Sequence, residues 1–239
     1  MNIHIVHYAK GAAQARCLVV VIDVFRAFSA ACYAFDRGAE KIIATHSLDT
    51  ARALKKENPQ YLLMGERHAV KPEDFDLGNS PSEIAGADLS GKTLVHTTHA
   101  GTKALLAVRG TAQAITGSFV NAAAIVGYIR KRLPDELYLV CAGFEGQSEA
   151  AEDTLCAEYL KRRILGDEPD FAPIAQRLKT ARSALRFFDP KDRASPTADF
   201  HMCLSLDRFN VVIRRTRPDT DTCVLAPTEA QGFSPENSI

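Results

Sequence analysis

Charged side chains that could carry out chemistry follow the apolar segments predicted to form strands. The run Cys17–Ile22 is rich in β-branched residues and is typical of a strand buried on both faces. Asp23 ends this run, and Arg26 follows three positions later. In open α/β sheets ligands bind at the carboxyl ends of the strands, so this pair is a candidate to hold a cation and an anion side by side. The alternative is that Asp23 only caps the helix predicted to begin near Arg26.

Similar groups of polar residues recur after later predicted strands and in the loops beside them. They are Glu66 and Arg67; Asp76, Asn79 and Ser80; Thr97, Thr98, Gly101 and Thr102; and Glu145, Glu152 and Asp153. Several carboxylates together suit Mg²⁺, a hard cation that prefers oxygen ligands. Hydroxyls, glycine amides at a helix start and arginines suit a phosphate or another oxyanion. These residue types together indicate metal-assisted phosphoryl transfer.

Five or six successive strand–helix units must position these side chains. Strands are predicted near residues 17–22, 41–45, 61–64, 93–97, 112–116 and 137–140, and most are followed by a helical pattern. This alternation predicts an α/β fold in three layers, with a mainly parallel sheet flanked by helices. We predict a main α/β domain with the active site over residues 1–166. Residues 167–239 are predicted to form a helical part with an edge strand near 210–213, packed on the same unit, and a frayed tail from about residue 227.

Composition narrows the classes of partner. Lys plus Arg equal Asp plus Glu at 29 each among 239 residues, which gives no reason to expect nucleic acid or an acidic membrane as a partner. No signal pattern opens the chain, and no apolar run approaches the ~20 residues of a membrane span. We therefore predict a cytoplasmic protein, and a homodimer is the default. The six cysteines lack metal-ligand spacing and are predicted to be buried free thiols.

Other phosphate chemistries fit the sequence less well. Residues Gly86–Thr93 match the phosphate-loop spacing GxxxxGK[ST], but a predicted strand follows where a helix is needed. A nucleotide-dependent transferase is therefore a minor alternative. A covalent aspartyl-phosphate route through Asp23 lacks a second acid at Phe25, and a thiol route through Cys141 lacks an arginine at Gln147.

Seven sequence blocks, in order and over about 140 residues, resemble the signature blocks of the 2-phosphosulfolactate phosphatase family. The blocks are IDVFRA (22–27), GER (65–67), FDLGNSPSE (75–83), GKTLVHTTHAGTKAL (91–105), GSFVNA (117–122), CAG (141–143) and EDTLCA (152–157). The segment DFHMCLSLDRFNVV (199–212) resembles the closing segment of that family. The chain departs from the common family block TTTNGT at His99 and Ala100, which could alter specificity.

The resemblance implies an α/β fold and a Mg²⁺-dependent phosphoric monoester hydrolase. Its expected substrate is 2-phosphosulfolactate, of coenzyme M and sulfolactate pathways, or a related 2-hydroxy carboxylic acid phosphate. We assign Asp23, Arg26 and Glu66 as catalytic and Asp23, Glu152 and Asp153 as Mg²⁺ ligands, with Glu66 as a second-choice ligand or the base. The expected substrate-binding residues are Arg67, Asn79, Ser80, Thr97, Thr98, Gly101 and Thr102.

Two alternatives remain open. Adjacent helical residues point about 100° apart, so Glu152 or Asp153 could serve only the helix dipole. The chain could also be a non-catalytic protein that binds a small anion and retains the fold.

Overall fold

A computed structural model describes residues 1–110 and 112–229. Within these ranges its strands are β1 Asn2–His7, β2 Leu18–Ile22, β3 Lys41–Thr45, β4 Leu62–Gly65, β5 Leu77–Gly78, β6 Thr93–Thr97, β7 Gln113–Gly117, β8 Glu136–Cys141, β9 Val211–Thr216 and β10 Thr222–Glu229. The helices are α1 Tyr8–Ala12, α2 Ala27–Asp36, α3 Leu48–Glu57, α4 Pro81–Ala85, α5 Gly101–Ala107, α6 Ala122–Arg132, α7 Ala151–Leu165, α8 Ala172–Leu178 and α9 Thr197–Cys203. Short 3₁₀ helices span Phe119–Asn121 and Arg182–Phe188.

All ten described strands belong to one sheet in the order β1-β8-β2-β7-β9-β10-β3-β6-β4-β5. Two parallel groups, β1-β8-β2-β7 and β3-β6-β4-β5, lie on either side of the antiparallel hairpin β9–β10. The predicted α/β fold with a mainly parallel sheet is confirmed. The predicted edge position of the last strand is wrong, because β9 and β10 fill the centre of the sheet with buried residues such as Val212, Ile213, Cys223 and Leu225.

Residues 167–229 thus contribute strands to the same sheet as residues 1–166. The predicted start of the frayed tail, at about residue 227, falls inside β10, which continues to Glu229. Pro227 pairs with Ile213 of β9, whereas the register with β3 covers only residues 222–225. Pro227 therefore lies where β10 has a partner on one side only, the position a sheet tolerates for proline. Residues 230–239 of the predicted tail lie outside the described residues.

Helices cover both faces of the sheet, because side chains alternate along each strand. Val19 and Val21 of β2 pack in one core with α1, α2 and α5, whereas Val20 and Ile22 pack in a second core with α6 and α7. Helix α3 packs through Ala51 on the face presented by Val95. The predicted three-layer arrangement is confirmed.

The central hairpin also decides where the strand ends meet. The three antiparallel pairings β7–β9, β9–β10 and β10–β3 make the two parallel groups run in opposite senses along the ladder. Neighbouring strands are each rotated by roughly 20–25°, so the five steps from β2 to β6 turn the strand direction by about 100–125°. This twist is consistent with the close approach of Gly101, beyond the end of β6, to Asp23 at the end of β2.

Two further sequence predictions concern cysteines and membrane spans. All six cysteines fall in the described ranges and are free; five are buried as predicted, but Cys17 is exposed just before β2. Among the described helices, none combines the length and apolar character that crossing a membrane would need. The segment Gly86–Thr93 leads into β6 and not into a helix, in agreement with the rejection of a phosphate loop.

Candidate active site

A cavity of about 250 Å³ opens where the ends of β2, β4 and β8 meet. Asp23 directly follows β2 and Glu66 directly follows β4, while Gly143 lies in the loop after β8. Glu152 and Asp153 come from the first turn of α7. The cavity lining comprises Asp23, Phe25, Arg26, Glu66, His68, Ala69, Asn79, His99, Ala100, Gly143, Phe144, Glu145, Glu152, Asp153, Arg186 and Asp192.

Four buried carboxylates dominate this cavity: Asp23, Glu66, Glu152 and Asp153. The pKa of Asp23 is raised to about 7, chiefly by burial and further by the charges of Glu66 and Glu152. Burial likewise raises the pKa of Glu152, and it raises that of Asp153 well above its usual range together with the charges of Asp23 and Glu152. These carboxylates repel one another, so the site favours the entry of positive charge.

Backbone amides fix the position of two of these acids. Asp153 accepts hydrogen bonds from the amides of Val24 and Gly143, both at 2.9 Å. Glu66 accepts from the amides of Ala69 and His99, both at 2.8 Å. These two side chains therefore tie separate loops to the cavity wall.

Asp23 and Glu152 each keep one oxygen available. Among the described residues, Asp23 is hydrogen-bonded through Oδ1 alone, to the amide of Ala27 at 3.1 Å, and Glu152 through Oε2 alone, to Ser183. Asp23 thus both accepts from the first amide of α2 and lines the cavity. Glu152 and Asp153 line the same cavity although they are adjacent on α7, so neither serves the helix dipole alone.

The arginines are placed differently from one another. Arg26 lines the cavity but its Nη1 lies 2.7 Å from the carboxylate of Asp199. Arg67 is not among the lining residues; its guanidinium donates to the carbonyls of Glu66 and His46 and, at 2.7 Å, to Thr97.

The donor set fits a magnesium ion. Within residues 1–110 and 112–229, no three His, Cys, Asp or Glu side chains form a preformed set of metal ligands. Mg²⁺ does not need such a set, because it keeps several waters and takes one or two carboxylates together with substrate phosphate. The available oxygens of Asp23 and Glu152 would be ligands for it. Both oxygens of Asp153, the third predicted ligand, and of Glu66, the second-choice ligand, already accept backbone amides, so these two acids would add negative charge beside the ion.

Comparisons with known proteins agree with this chemistry. A family model described as "2-phosphosulpholactate phosphatase" matches residues 3–218. The chain belongs to the 2-phosphosulfolactate phosphatase family. A Thermotoga petrophila protein named "Probable 2-phosphosulfolactate phosphatase" is 39% identical over 158 residues, which cover 66% of this chain and 67% of that protein. Proteins with the same name from Bacillus subtilis and Prochlorococcus marinus (strain MIT 9313) are each 33% identical, over 185 residues (77% of this chain and 80% of the relative) and 217 residues (83% and 89%).

The threonine block of this 2-phosphosulfolactate phosphatase family member lies behind the cavity wall. Thr97, Thr98 and Thr102 are buried and do not line the cavity; Thr102 Oγ1 donates to the Thr98 carbonyl at 2.8 Å. The block holds the corner between β6 and α5 and so places Gly101 against Asp23. A Cβ atom at Gly101 would lie 2.6 Å from Asp23 Oδ2, so any other residue there would have to displace the Asp23 carboxylate.

Of the two remaining residues predicted to bind substrate, Asn79 lines the cavity and Ser80 does not. Asn79 lines the cavity, and its Oδ1 lies 3.2 Å from Nε2 of buried His96. Burial lowers the pKa of His96 to about 3, so the ring is neutral and its Nε2–H can orient the Asn79 amide. Ser80 does not line the cavity; it caps α4 and donates to Asp199 at 3.0 Å.

Sequence reasoning missed several lining residues. Arg186 comes from the 3₁₀ helix Arg182–Phe188, in a region that carries no recognised motif. His68 also lines the cavity and lies 2.9 Å from Glu145, an acid that the sequence does place among the candidate polar groups, and the His99 ring is 5.1 Å from that of His68. Both departures from the common family block, His99 and Ala100, therefore contact the cavity.

Proposed function

We propose that this protein is a Mg²⁺-dependent phosphatase. Its substrate would be 2-phosphosulfolactate or a related 2-hydroxy carboxylic acid phosphate, which it hydrolyses to the hydroxy acid and phosphate. The observation that carries this proposal is the meeting of four buried carboxylates and two arginines in one cavity small enough for a three-carbon ester. Family membership and the names of the relatives support the substrate class.

The proposed roles follow from which atoms are already engaged. Asp23 and Glu152 would hold Mg²⁺ through their available oxygens, with Asp153 beside them. Bound there, the ion would supply Lewis-acid polarisation of the phosphate and activation of a water molecule. Glu66, held at the cavity wall by two backbone amides, is the proposed base that takes the proton of the attacking water.

Positive charge must balance the phosphoryl oxygens as the ester bond breaks. Arg26 lies at the cavity with its orientation fixed by Asp199 and by the carbonyl of Ala194 at 2.9 Å. A guanidinium held in advance stabilises developing charge without reorganising. Asn79 would direct its amide at the substrate, because His96 holds the opposite side of that group. A homodimer and a cytoplasmic location stay predictions.

A phosphate-release assay tests the proposal. We expect release from 2-phosphosulfolactate in the presence of Mg²⁺, loss of release in EDTA and no release by Asp23→Asn. A panel of 2-hydroxy carboxylic acid phosphates would define the substrate range. Binding of these esters by calorimetry without any release would support the alternative, a non-catalytic anion-binding protein, and would overturn the proposal.

A further inference from the structure

Arg186 reaches the cavity from a firmly packed piece of backbone. It belongs to the 3₁₀ helix Arg182–Phe188. The next residue, Phe187, is buried with its ring 5.1 Å from that of Phe25 and 6.1 Å from that of Phe200. The position of Arg186 at the cavity wall is therefore fixed by aromatic packing and does not depend on an ion pair with a carboxylate.

The hydrogen-bond donors of Arg186 are largely unused. Nη2 donates to the Phe25 carbonyl at 3.0 Å, whereas Nε is buried and has no partner among the described residues. In the part of the chain that the structure describes, no carboxylate oxygen lies within 4.0 Å of its nitrogens. Arg26 contrasts with it, because Arg26 is paired with Asp199 at 2.7 Å.

The surroundings leave the charge of Arg186 poorly compensated. Burial, and then the positive charge of Arg26, lower the pKa of Arg186, while the charges of Glu152, Glu66 and Asp23 oppose that effect. A half-buried guanidinium without a paired carboxylate gains from an anion that joins it. The cavity therefore contains a guanidinium that is not paired with any carboxylate of the described residues.

We propose that Arg186 is a substrate-binding residue that receives an oxyanion of the substrate. This inference rests on the proposed function and deepens it, since it assigns the anion receptor of the same cavity to a residue outside the short sequence blocks that resemble the family. The planar guanidinium fork matches phosphate, sulfonate and carboxylate alike. Arg26 is already paired with Asp199, and its guanidinium also donates to the carbonyls of Ala194 and Ala69. It therefore holds these segments together and adds positive charge to the cavity from a fixed position.

Calorimetry with two probes identifies which oxyanion Arg186 receives. Inorganic phosphate represents the reacting end of the ester, and sulfolactate represents the end that stays. Both are titrated, with Mg²⁺, into wild-type protein, Arg186→Met, Arg186→Lys and Arg182→Met. Arg182 is the matched control, because it lies on the same 3₁₀ helix but is exposed and does not line the cavity.

We expect Arg186→Met to weaken binding of at least one probe by about tenfold or more, as for a lost hydrogen bond to a charged group. Weakened phosphate binding places Arg186 at the phosphoryl group, and weakened sulfolactate binding places it at the acid tail. Arg186→Lys keeps the charge without the fork, so its loss should be smaller, and Arg182→Met should stay within about twofold of wild type.

The thermal melt separates binding from structural support. Because Arg186 is half-buried and carboxylates of the cavity act on its charge, Arg186→Met should change the melting temperature by only a few degrees while its affinity falls. Unchanged affinity for both probes, an equal loss in Arg182→Met, or a wild-type protein that binds neither probe would each overturn the inference. These measurements do not depend on turnover, so failure of the proposed phosphatase activity would be seen separately, as absent phosphate release.

Discussion

Replacing Asp23 with Asn should stabilise the metal-free protein while abolishing activity. The pKa of Asp23 rises from its ordinary 3.8 to about 7 in the folded protein, chiefly through burial. Between these values the folded state binds more protons than the unfolded state, so stability is present below about pH 4 and is lost as pH rises toward 7. Asn carries no charge and keeps an oxygen to accept from the Ala27 amide, so the variant should escape this loss.

The magnitude follows from the size of the shift. About 3 pKa units correspond to roughly 4 kcal/mol at 1.36 kcal/mol per unit. This is an upper limit, because Glu66 and Glu152 share the repulsion and the cluster titrates as a unit. For a chain of this length each kcal/mol shifts the melting temperature by about 2–4 °C, so the gain at pH 8 should reach at most about 8–16 °C.

Thermal melts in EDTA at pH 4, 6 and 8 measure the effect. The stabilisation should be largest at pH 8 and vanish near pH 4, and Mg²⁺ should raise the melting temperature of the wild type more than that of Asp23→Asn. Asp199→Asn is the matched control: it breaks the buried pair with Arg26 and should destabilise by about 3–5 kcal/mol. If Asp23→Asn melted below the wild type at pH 8, or if its gain did not depend on pH, the electrostatic reasoning would be refuted.

Three other predictions test the packing, the Arg67 assignment and the metal. Gly101→Ala should lower kcat/KM by about 100-fold, because the added methyl group displaces Asp23. The control is Gly127→Ala, which should stabilise α6 by about 0.5–1 kcal/mol because a Cβ atom there meets nothing within 4 Å. Wild-type activity in Gly101→Ala would contradict the close contact. Arg67→Gln should lower the melting temperature and leave KM unchanged, because the Arg67 guanidinium donates hydrogen bonds to His46 and Thr97 behind the cavity. A raised KM with an unchanged melting temperature would instead support the substrate-binding role predicted from the sequence. Removing divalent ions with EDTA should abolish phosphate release, and Mg²⁺ should restore it; full activity in EDTA would argue against the assigned ligands.

Local sequence patterns predicted the elements and acids that depend on local structure. The predicted strand 41–45 has the bounds of β3, and Ser47 caps α3 by accepting from the Thr50 amide. Asp23 and Glu66 follow strands, as predicted from apolar runs that end in a charge. Such runs indicate which residues are buried and the spacing at which apolar residues recur, and both depend on only a few neighbouring residues.

Long-range features left no comparable signal in the sequence. Hairpin β9–β10 contains Arg214, Arg215 and Pro227, which are untypical of a central strand, yet Arg215 is buried because its guanidinium donates to the carbonyls of Leu105 and Val108. Only pairing with β7 and β3, nearly 100 residues or more away in sequence, reveals its central place. The convergence of acids was predicted for a single sheet edge, whereas it arises where two parallel groups of opposite sense meet across that hairpin.

Arg186 could not be found for a related reason. Its segment, RSALRFF, shows no strand–charge pattern, and its importance appears only when Phe187 packs against Phe25 and brings the guanidinium to the cavity. A guanidinium that lines the cavity, has an unpartnered Nε and has no paired carboxylate among the described residues is the signal that identifies it, and this combination is a property of the folded chain.

The balance of charges in the cavity helps to distinguish an enzyme from a protein that only binds a small anion. A protein that only bound a small anion would gain nothing from four buried carboxylates, since they repel the anion and lower the stability of the fold. The same carboxylates become useful when a divalent cation must be held against a phosphate, and Arg186 then has a role on the anion that they cannot fill. Acids with raised pKa values and an arginine with unused donors in one cavity therefore favour a site built for turnover of an anionic ester.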